Sequence, residues 1–356
     1  MVSQSETSPS SAGLILDHCT PEQAQQLYYD WSFTEHWNPA TKGQEIPDVY
    51  LKTDAKAFFY GKVGDEVVSL ISCMRYGQEQ AWVGYYIVSP THRGKGYGLQ
   101  GFQRALAYAG EQCPSIGLDA VMEQVKNYQK SGFTETQWQN ERRHGSIKDL
   151  VETSERELAN KILLAATDPT TKGFRFFEDD QVLKEAKARL VNLADPSVDL
   201  EQLSPIEEKY TGLKRPGFLQ DWVQFHAHHP ESRRFGAAVL SNTESQKNGK
   251  PLVLGYGCVR PAETSYRVGP LYASSPEVAR LLLVKLAVDV VQAEKQTPKG
   301  IPLAFDVDVP TINKEAVKLF DGLGWNDTFP SLRMWKGKIP KHDSNGVYGV
   351  ATLEVG

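Results

Sequence analysis

Apolar and polar residues follow two periods along this chain, and the switches between them mark out its elements. After Thr20 the run PEQAQQLYYDWSF has apolar residues at helical spacing, a hydroxyl at the N-cap and Pro21 at the first helical position, which predicts a helix. Past a polar loop holding Asn38-Pro39 and Pro47, AFFYGKV (57–63) and VVSLISCMRYG (67–77) flank Gly64-Asp65, the pattern of two antiparallel strands joined by a tight turn. A buried strand follows at AWVGYYIV (81–88), then the glycine-rich RGKGYG (93–98) and an amphipathic helix. The strand SIGLDAV (115–121), the helical MEQVKNYQKSGF (122–133) and the polar-alternating TETQWQNERRHG (134–145) complete this part.

The order then recurs. PGFLQDWVQF (216–225) predicts a helix, RFGAAVLS (234–241) and PLVLGYGCVRPA (251–262) are strands around an Asn248-Gly249 turn, and YRVGPLYA (266–273) is a strand. The helix PEVARLLLVKLAVDVVQAE (276–294), the strand IPLAFDVDV (301–309), the helix NKEAVKLFDGLGW (313–325) and the strand SLRMWKG (331–337) follow. Gly132-Phe133 and Gly324-Trp325 close corresponding helices, so matching order at matching spacing predicts an internal duplication. Between the copies, TSERELANKILLAA (153–166) and DQVLKEAKARLVNLA (180–194) read as charged helices without visible chemistry. The expected organisation is a disordered tail (1–12), a first domain over 13–147, a helical connector over 148–200 and a second domain over 201–356, each domain of α/β class with a mixed sheet (α+β).

Composition narrows the function classes. A net charge of -5 argues against a protein that works by neutralising nucleic-acid phosphates. No run approaches the roughly 20 apolar residues that cross a bilayer, and four scattered cysteines without CxxC pairing or Cys/His clustering fit a reducing, cytoplasmic setting with no metal. His36, His92, His226, His228 and His229 lack partners at metal-ligand spacing and read as ordinary surface or helix-end residues.

The chemistry concentrates at Arg93-Gly94-Lys95-Gly96-Tyr97-Gly98. A strand that turns into a helix through glycines leaves backbone N–H groups unpaired at the positive end of the helix dipole, and the missing Cβ atoms let an anion approach them. With Ile87-Val88-Ser89-Pro90 before it, this stretch resembles the acetyl-coenzyme A loop of the GCN5-related N-acetyltransferases, (Arg/Gln)-x-x-Gly-x-(Gly/Ala), filled here by Arg93, Gly96 and Gly98. The resemblance implies that the amides from Arg93 to Gly98 hold the pyrophosphate and that the edge of the strand around Tyr85 to Val88 pairs with the pantetheine arm. It further implies that an amide near Val88 polarises the thioester.

The same resemblance gives Tyr128, four residues before Gly132, the role of general acid toward the departing thiolate, and proton donation from a phenol of pKa about 10 to a developing thiolate is reasonable. Val121 stands where family members often carry an asparagine, whose contact is then lost here or supplied elsewhere, with Asn127 the candidate. An amine nucleophile also needs a base. Asp119, Glu45, Asp48, Asp306 and Asp308 are the candidates, each with solvation or capping as a competing role.

In the second copy Ser274-Ser275-Pro276 replaces the arginine and glycines, and Phe320 stands at the tyrosine position. That half is similar to the degenerate second domain of tandem acetyltransferases of the YitH type. The expected function is acetyl transfer from acetyl-coenzyme A to the amine of a small molecule or peptide. Two alternatives remain: a non-catalytic acyl-coenzyme A sensor, and an NAD(P)-dependent oxidoreductase, because Gly96, Gly98 and Gly101 also spell G-x-G-x-x-G with Asp119 about 20 residues on.

Overall fold

The computed structural model describes residues 13–161, 188–244 and 249–356. The expected disordered tail, residues 162–187 of the expected connector and Asn248 of the expected turn lie outside them. In chain order the first half contains β1 (Leu14–His18), α1 (Pro21–Thr34), β2 (Phe58–Val63), β3 (Glu66–Tyr76), β4 (Gln80–Val88), α2 (Tyr97–Ala109), β5 (Ser115–Val121), α3 (Val125–Lys130), β6 (Glu135–Ser146) and α4 (Ile147–Lys161). The second contains β7 (Ala188–Asn192), α5 (Leu203–Thr211), α6 (Pro216–His226), β8 (His228–His229), β9 (Arg234–Glu244), β10 (Pro251–Pro261), β11 (Tyr266–Ala273), α7 (Pro276–Gln296), β12 (Ala304–Pro310), α8 (Lys314–Gly322), β13 (Asn326–Gly337) and β14 (Val347–Gly349).

Local chemistry explains the helix starts. Thr20 Oγ1 accepts from the Gln23 amide at 3.2 Å while the Gln23 side chain accepts from the Thr20 amide at 2.9 Å, a reciprocal capping box with Pro21 just inside it. The helix buries Ala24, Tyr28 and Ser32, one stripe at i, i+4, i+8.

Several elements depart from the sequence expectation, among them α5, β8 and β14, which the pattern left unassigned. Leu14–His18, which the pattern left unassigned, forms an edge strand paired antiparallel with β2. Ala188–Asn192, expected to be helical, is a strand paired with β9 from Ala188↔Ser241 to Asn192↔Ala237. Helix propensity is worth only tenths of a kcal/mol per residue, roughly, and a ladder of backbone bonds on an otherwise bare sheet edge outweighs it.

The two halves share one sheet. Among the described residues the strands join one 14-stranded sheet, ordered β1-β2-β3-β4-β5-β13-β6-β12-β11-β10-β9-β7 with β14 on β11 and β8 on β9. The last strand of each half is exchanged: β13 pairs with β5 from Ser331↔Val121 to Gly337↔Ser115, and β6 pairs with β12 from Ala304↔Ser146 to Pro310↔Asn140. The halves expected over 13–147 and 201–356 therefore interlock, each contributing one strand to the other's part of the sheet. One apolar cluster joins them, with Trp82, Tyr50 and Phe58 of the first half against Trp222, Phe218 and Trp335 of the second.

Candidate active site

The site begins as a defect in β4. Its parallel pairing with β5 lasts only from Gln80↔Ser115 to Trp82↔Gly117, after which the two strands separate. Toward β3 the register shifts between Leu70↔Ile87 and Ser72↔Gly84, and Tyr85 takes a positive φ of 49°. A bulge of this kind breaks the alternation of side chains. Tyr85 packs with the cluster that joins the halves, whereas Tyr86 packs with the cluster of Phe102 and Tyr128. A cleft of about 750 Å³ runs through the gap, lined by Val83 to Val88, the glycine turn, Tyr128 and residues of the second half.

At one end of the cleft lies the N-terminus of α2. Gly94 and Gly96 have φ of 78° and 82°, and a Cβ on either would project into open space, so conformation and access, not crowding, call for glycine there. Gly96 is the N-cap and no side chain caps the helix, which leaves first-turn amides facing outward. Gly98 has a different reason: its Cβ would strike the Tyr86 hydroxyl and lie 2.6 Å from Val88 Cγ2. Arg93 braces the turn, donating from Nε to the Val88 carbonyl at 3.0 Å and from Nη2 to Glu35 at 2.6 Å. Of the residues expected to meet the coenzyme, Ile87, Val88, Arg93, Gly94, Gly96, Tyr97 and Gly98 line the cleft, while the Lys95 side chain is exposed outside its lining.

Tyr128 lines the same cleft from α3, its ring 6.3 Å from Tyr86 and 5.6 Å from Phe102. Burial first, then the Tyr86 phenol, holds its hydroxyl well above the usual phenol range, so it carries its proton at neutral pH. Asn127 is exposed and donates to Gln124 at 2.8 Å.

The expected base candidates are engaged elsewhere, apart from Asp48 in the turn at Ile46–Tyr50, which lies outside the cleft lining. Asp119 lines the cleft but is locked by Arg333 at 2.6 and 3.0 Å and by Asn140; burial raises its pKa and Arg333 pulls it back. Glu45 is buried with Arg260 at 2.5 Å and His226 at 3.2 Å. Asp308 binds Arg142 and Arg267, and Asp306 binds His144, Asn38 and Ser265. These pairs join the halves or the strands of the second half. Among the described residues no group of three or more His, Cys, Asp or Glu side chains could hold a metal.

The sequence pattern missed the second half's share of the site. Phe329 and Pro330 from β13, and Leu353 and Glu354 beyond β14, line the cleft together with Glu35, Trp37 and Arg142. The α1–β2 loop that carries Trp37 is held by the second half: Asn38 donates to Ser265 and Asp306 at 2.8 Å and accepts from the Thr264 amide, and Tyr29 donates to Glu263 at 2.5 Å. Residues so far apart in sequence give no local signal.

The corresponding place in the second half is filled. β11 pairs with β12 from Tyr266↔Phe305 to Val268↔Val307, then turns its free edge to β14 through Leu271↔Gly349 and Tyr272↔Val347. The chain's own strand thus lies where the first half has a cleft. Ser275 caps α7, accepting from the Val278 amide, and Phe320 is buried against Trp325. The rival dinucleotide fingerprint fails as well. A Cβ on Gly101 would make only ordinary contact with Ile71 at 3.7 Å, and Asp119, bound by Arg333, is not free for a ribose.

A mixed sheet whose central strands part beside a glycine turn and an uncapped helix defines a GNAT-type acyltransferase, here in tandem. The family described as Acetyltransferase (GNAT) family matches residues 22–133 and that described as Acetyltransferase (GNAT) domain matches residues 204–349. Together they span well over half of the chain, which belongs to the GNAT acyltransferases as a tandem-domain enzyme. It is 26% identical over 332 residues to a holothin acyltransferase of Pseudoalteromonas sp. strain SANK 73390, covering 93% of this chain and 91% of that one. In fold it is similar to a putative acetyltransferase of Pyrococcus horikoshii (TM-score 0.63, 17% identity, 99% of both chains). A tandem GNAT protein from the clavulanic acid biosynthesis pathway also shares the fold (TM-score 0.56, 11% identity, 91% of this chain and 98% of that one).

Proposed function

We propose that this protein transfers an acetyl group from acetyl-coenzyme A to the amine of a small molecule or peptide, in the cytoplasm, where its four free cysteines remain thiols. The observation that carries this reading is the parting of β4 from β5 beside the open glycine turn, with the protonated Tyr128 on the wall. Amides from Arg93 to Gly98 hold the pyrophosphate, with Gly94 and Gly96 admitting it closely. The backbone at Ile87 and Val88 pairs with the pantetheine arm as β14 pairs with β11, and an amide near Val88 polarises the thioester. Tyr128 gives its proton to the departing thiolate. No metal is needed for these steps, and orientation supplies much of the rate. The second half closes the site and shapes its acceptor end.

A thiol-release assay tests the reading, with acetyl- and longer acyl-coenzymes A against an amine panel that includes holothin, the compound in the relative's name. Release with acetyl-coenzyme A and at least one amine is the expected result, and release only with longer acyl groups would displace the acetyl assignment. Gly96→Val should abolish coenzyme binding. Tyr128→Phe should lower kcat by about a hundredfold at unchanged coenzyme affinity; an unaltered kcat would favour a sensor or a different acid.

A further inference from the structure

We infer that Glu354, brought to the cleft from beyond β14, is the catalytic group that binds and deprotonates the acceptor amine; this rests on the acetyl-transfer reading above. After β14 the chain crosses to the first half. The Val350 amide donates to the Asp308 carbonyl at 3.0 Å, the Trp82 indole N–H donates to the Leu353 carbonyl at 3.1 Å, and the Glu354 carbonyl rests on Gly84, where any Cβ would strike it. The path ends with Arg215 holding the Val355 and Gly356 carbonyls at 2.6 Å each. Glu354 is thereby fixed on the wall of the cleft.

Position and partners single it out. Tyr128 belongs to the cluster on one face of the sheet with Tyr86, while Trp82 and Tyr85 face the other, so Glu354 and Tyr128 approach the gap from opposite sides. Direct transfer proceeds by addition of the amine to the thioester carbonyl and then expulsion of the thiolate, and a base and an acid on different sides of the gap can serve the two stages separately. Of the other carboxylates on the wall, Glu35 braces Arg93 of the glycine turn, Asp119 carries three bonds from Arg333 and Asn140, one more than Glu354 accepts from Arg267, and Glu123 sits in the turn leading to the Tyr128 helix. Arg267 grips Glu354 by two bonds, 2.7 Å to Oε1 and 3.3 Å to Oε2, which leaves each oxygen a further lone pair. Arg267 is itself anchored by Asp308, and Asp308 by Arg142 from β6. Tyr85 and Tyr50 of the first half lie within electrostatic reach of Glu354, and Tyr50 donates at 2.9 Å to Glu45, which is paired with Arg260.

The step balances. The amine nitrogen forms its bond to the acyl carbon and its proton passes to Glu354; the carbon–sulfur bond breaks, and the thiolate takes the Tyr128 proton. Amide and free thiol leave, and exchange with water returns Glu354 to carboxylate and Tyr128 to phenol.

The test compares the full chain with Glu354→Gln and Glu354→Asp, by thiol release against acceptor concentration across neutral pH and by calorimetric binding of coenzyme and of the panel amines. Glu354→Gln should lower kcat/KM for the acceptor by about a hundredfold, leave coenzyme affinity unchanged, and move the acidic limb of the profile up to the acceptor's own solution pKa. Glu354→Asp should restore part of the rate. Wild-type kcat/KM in Glu354→Gln overturns the assignment, as does a loss that comes with weakened coenzyme binding or an unmoved acidic limb. A wild type that releases no thiol with any amine condemns the acetyl-transfer reading instead. Amine binding that depends on Glu354 would still stand in that case, and equal amine binding by Glu354→Gln would remove the subsite too.

Discussion

Two glycines in the first turns of α2 ask for opposite treatment. A Cβ on Gly98 would meet the Tyr86 hydroxyl and Val88, both on the cleft wall, whereas one on Gly101 finds Ile71 at 3.7 Å and Leu16 at 3.9 Å, ordinary contact distances. Gly101→Ala should raise stability by about 0.5–1 kcal/mol, as expected for alanine over glycine inside a helix, and leave coenzyme affinity intact. Gly98→Ala should push Tyr86 toward Tyr128 and lower turnover; thermal unfolding and coenzyme titration separate the two. The letters of the motif cannot distinguish these glycines, since the difference lies in what stands opposite each one. Arg93 is similar: its place in the motif is legible, but its bonds to Glu35 and to the Val88 carbonyl depend on where α1 ends in space.

At the scale of elements, α2 and α7 are the same helix in two copies with different ends. Gly96 leaves the first exposed, while Ser275 satisfies the second through the Val278 amide. Ser275→Ala should cost about 1 kcal/mol of stability, the usual worth of an N-cap, without changing coenzyme affinity or stoichiometry. Ser275→Gly should create no second coenzyme site, because β14 already holds the edge of β11; two coenzymes bound per chain in calorimetry would contradict that. The missing glycines of the second copy are visible in the sequence. That its cleft is filled is not, because Val347–Gly349 is too short to announce itself as a strand and gains its ladder only from β11. The strand at Ala188–Asn192 was misread for the same reason.

Across the whole molecule, exchange of β6 and β13 places ionised side chains of one half among those of the other. Glu45 shows the consequence for pH. Burial opposes its ionisation, but Arg260 and then His226 outweigh burial and lower its pKa to about 2 from an ordinary 4.5. A depressed carboxylate stabilises the fold above its unfolded pKa, and that contribution is lost as pH falls toward 2. His226 is held below the usual imidazole range, by burial first, although Glu45 works the other way. The unfolded chain therefore takes that proton first, and stability should begin to fall below about pH 6.5. Urea unfolding across this range should show both losses in the wild type, with His226→Gln removing the upper and retaining the lower. A flat profile between about pH 6.5 and 5 would mean that His226 is not held neutral.

The sequence by itself determined the repeat, most strands and helices within it, and the glycine turn at one end of the cleft, because capping residues, turn glycines and hydrophobic periods are local. It also determined which half is degenerate, through Ser275 and Phe320. Tertiary structure alone decided which strand lies beside which, and hence the second half's share of the cleft lining. Trp37, Arg142, Phe329 and Glu354 come from four distant stretches and meet only once β13 and β6 have changed places. Pairing between strands depends on backbone edges that every strand offers alike, so the choice of partner rests on the packing and buried ion pairs of the assembled fold.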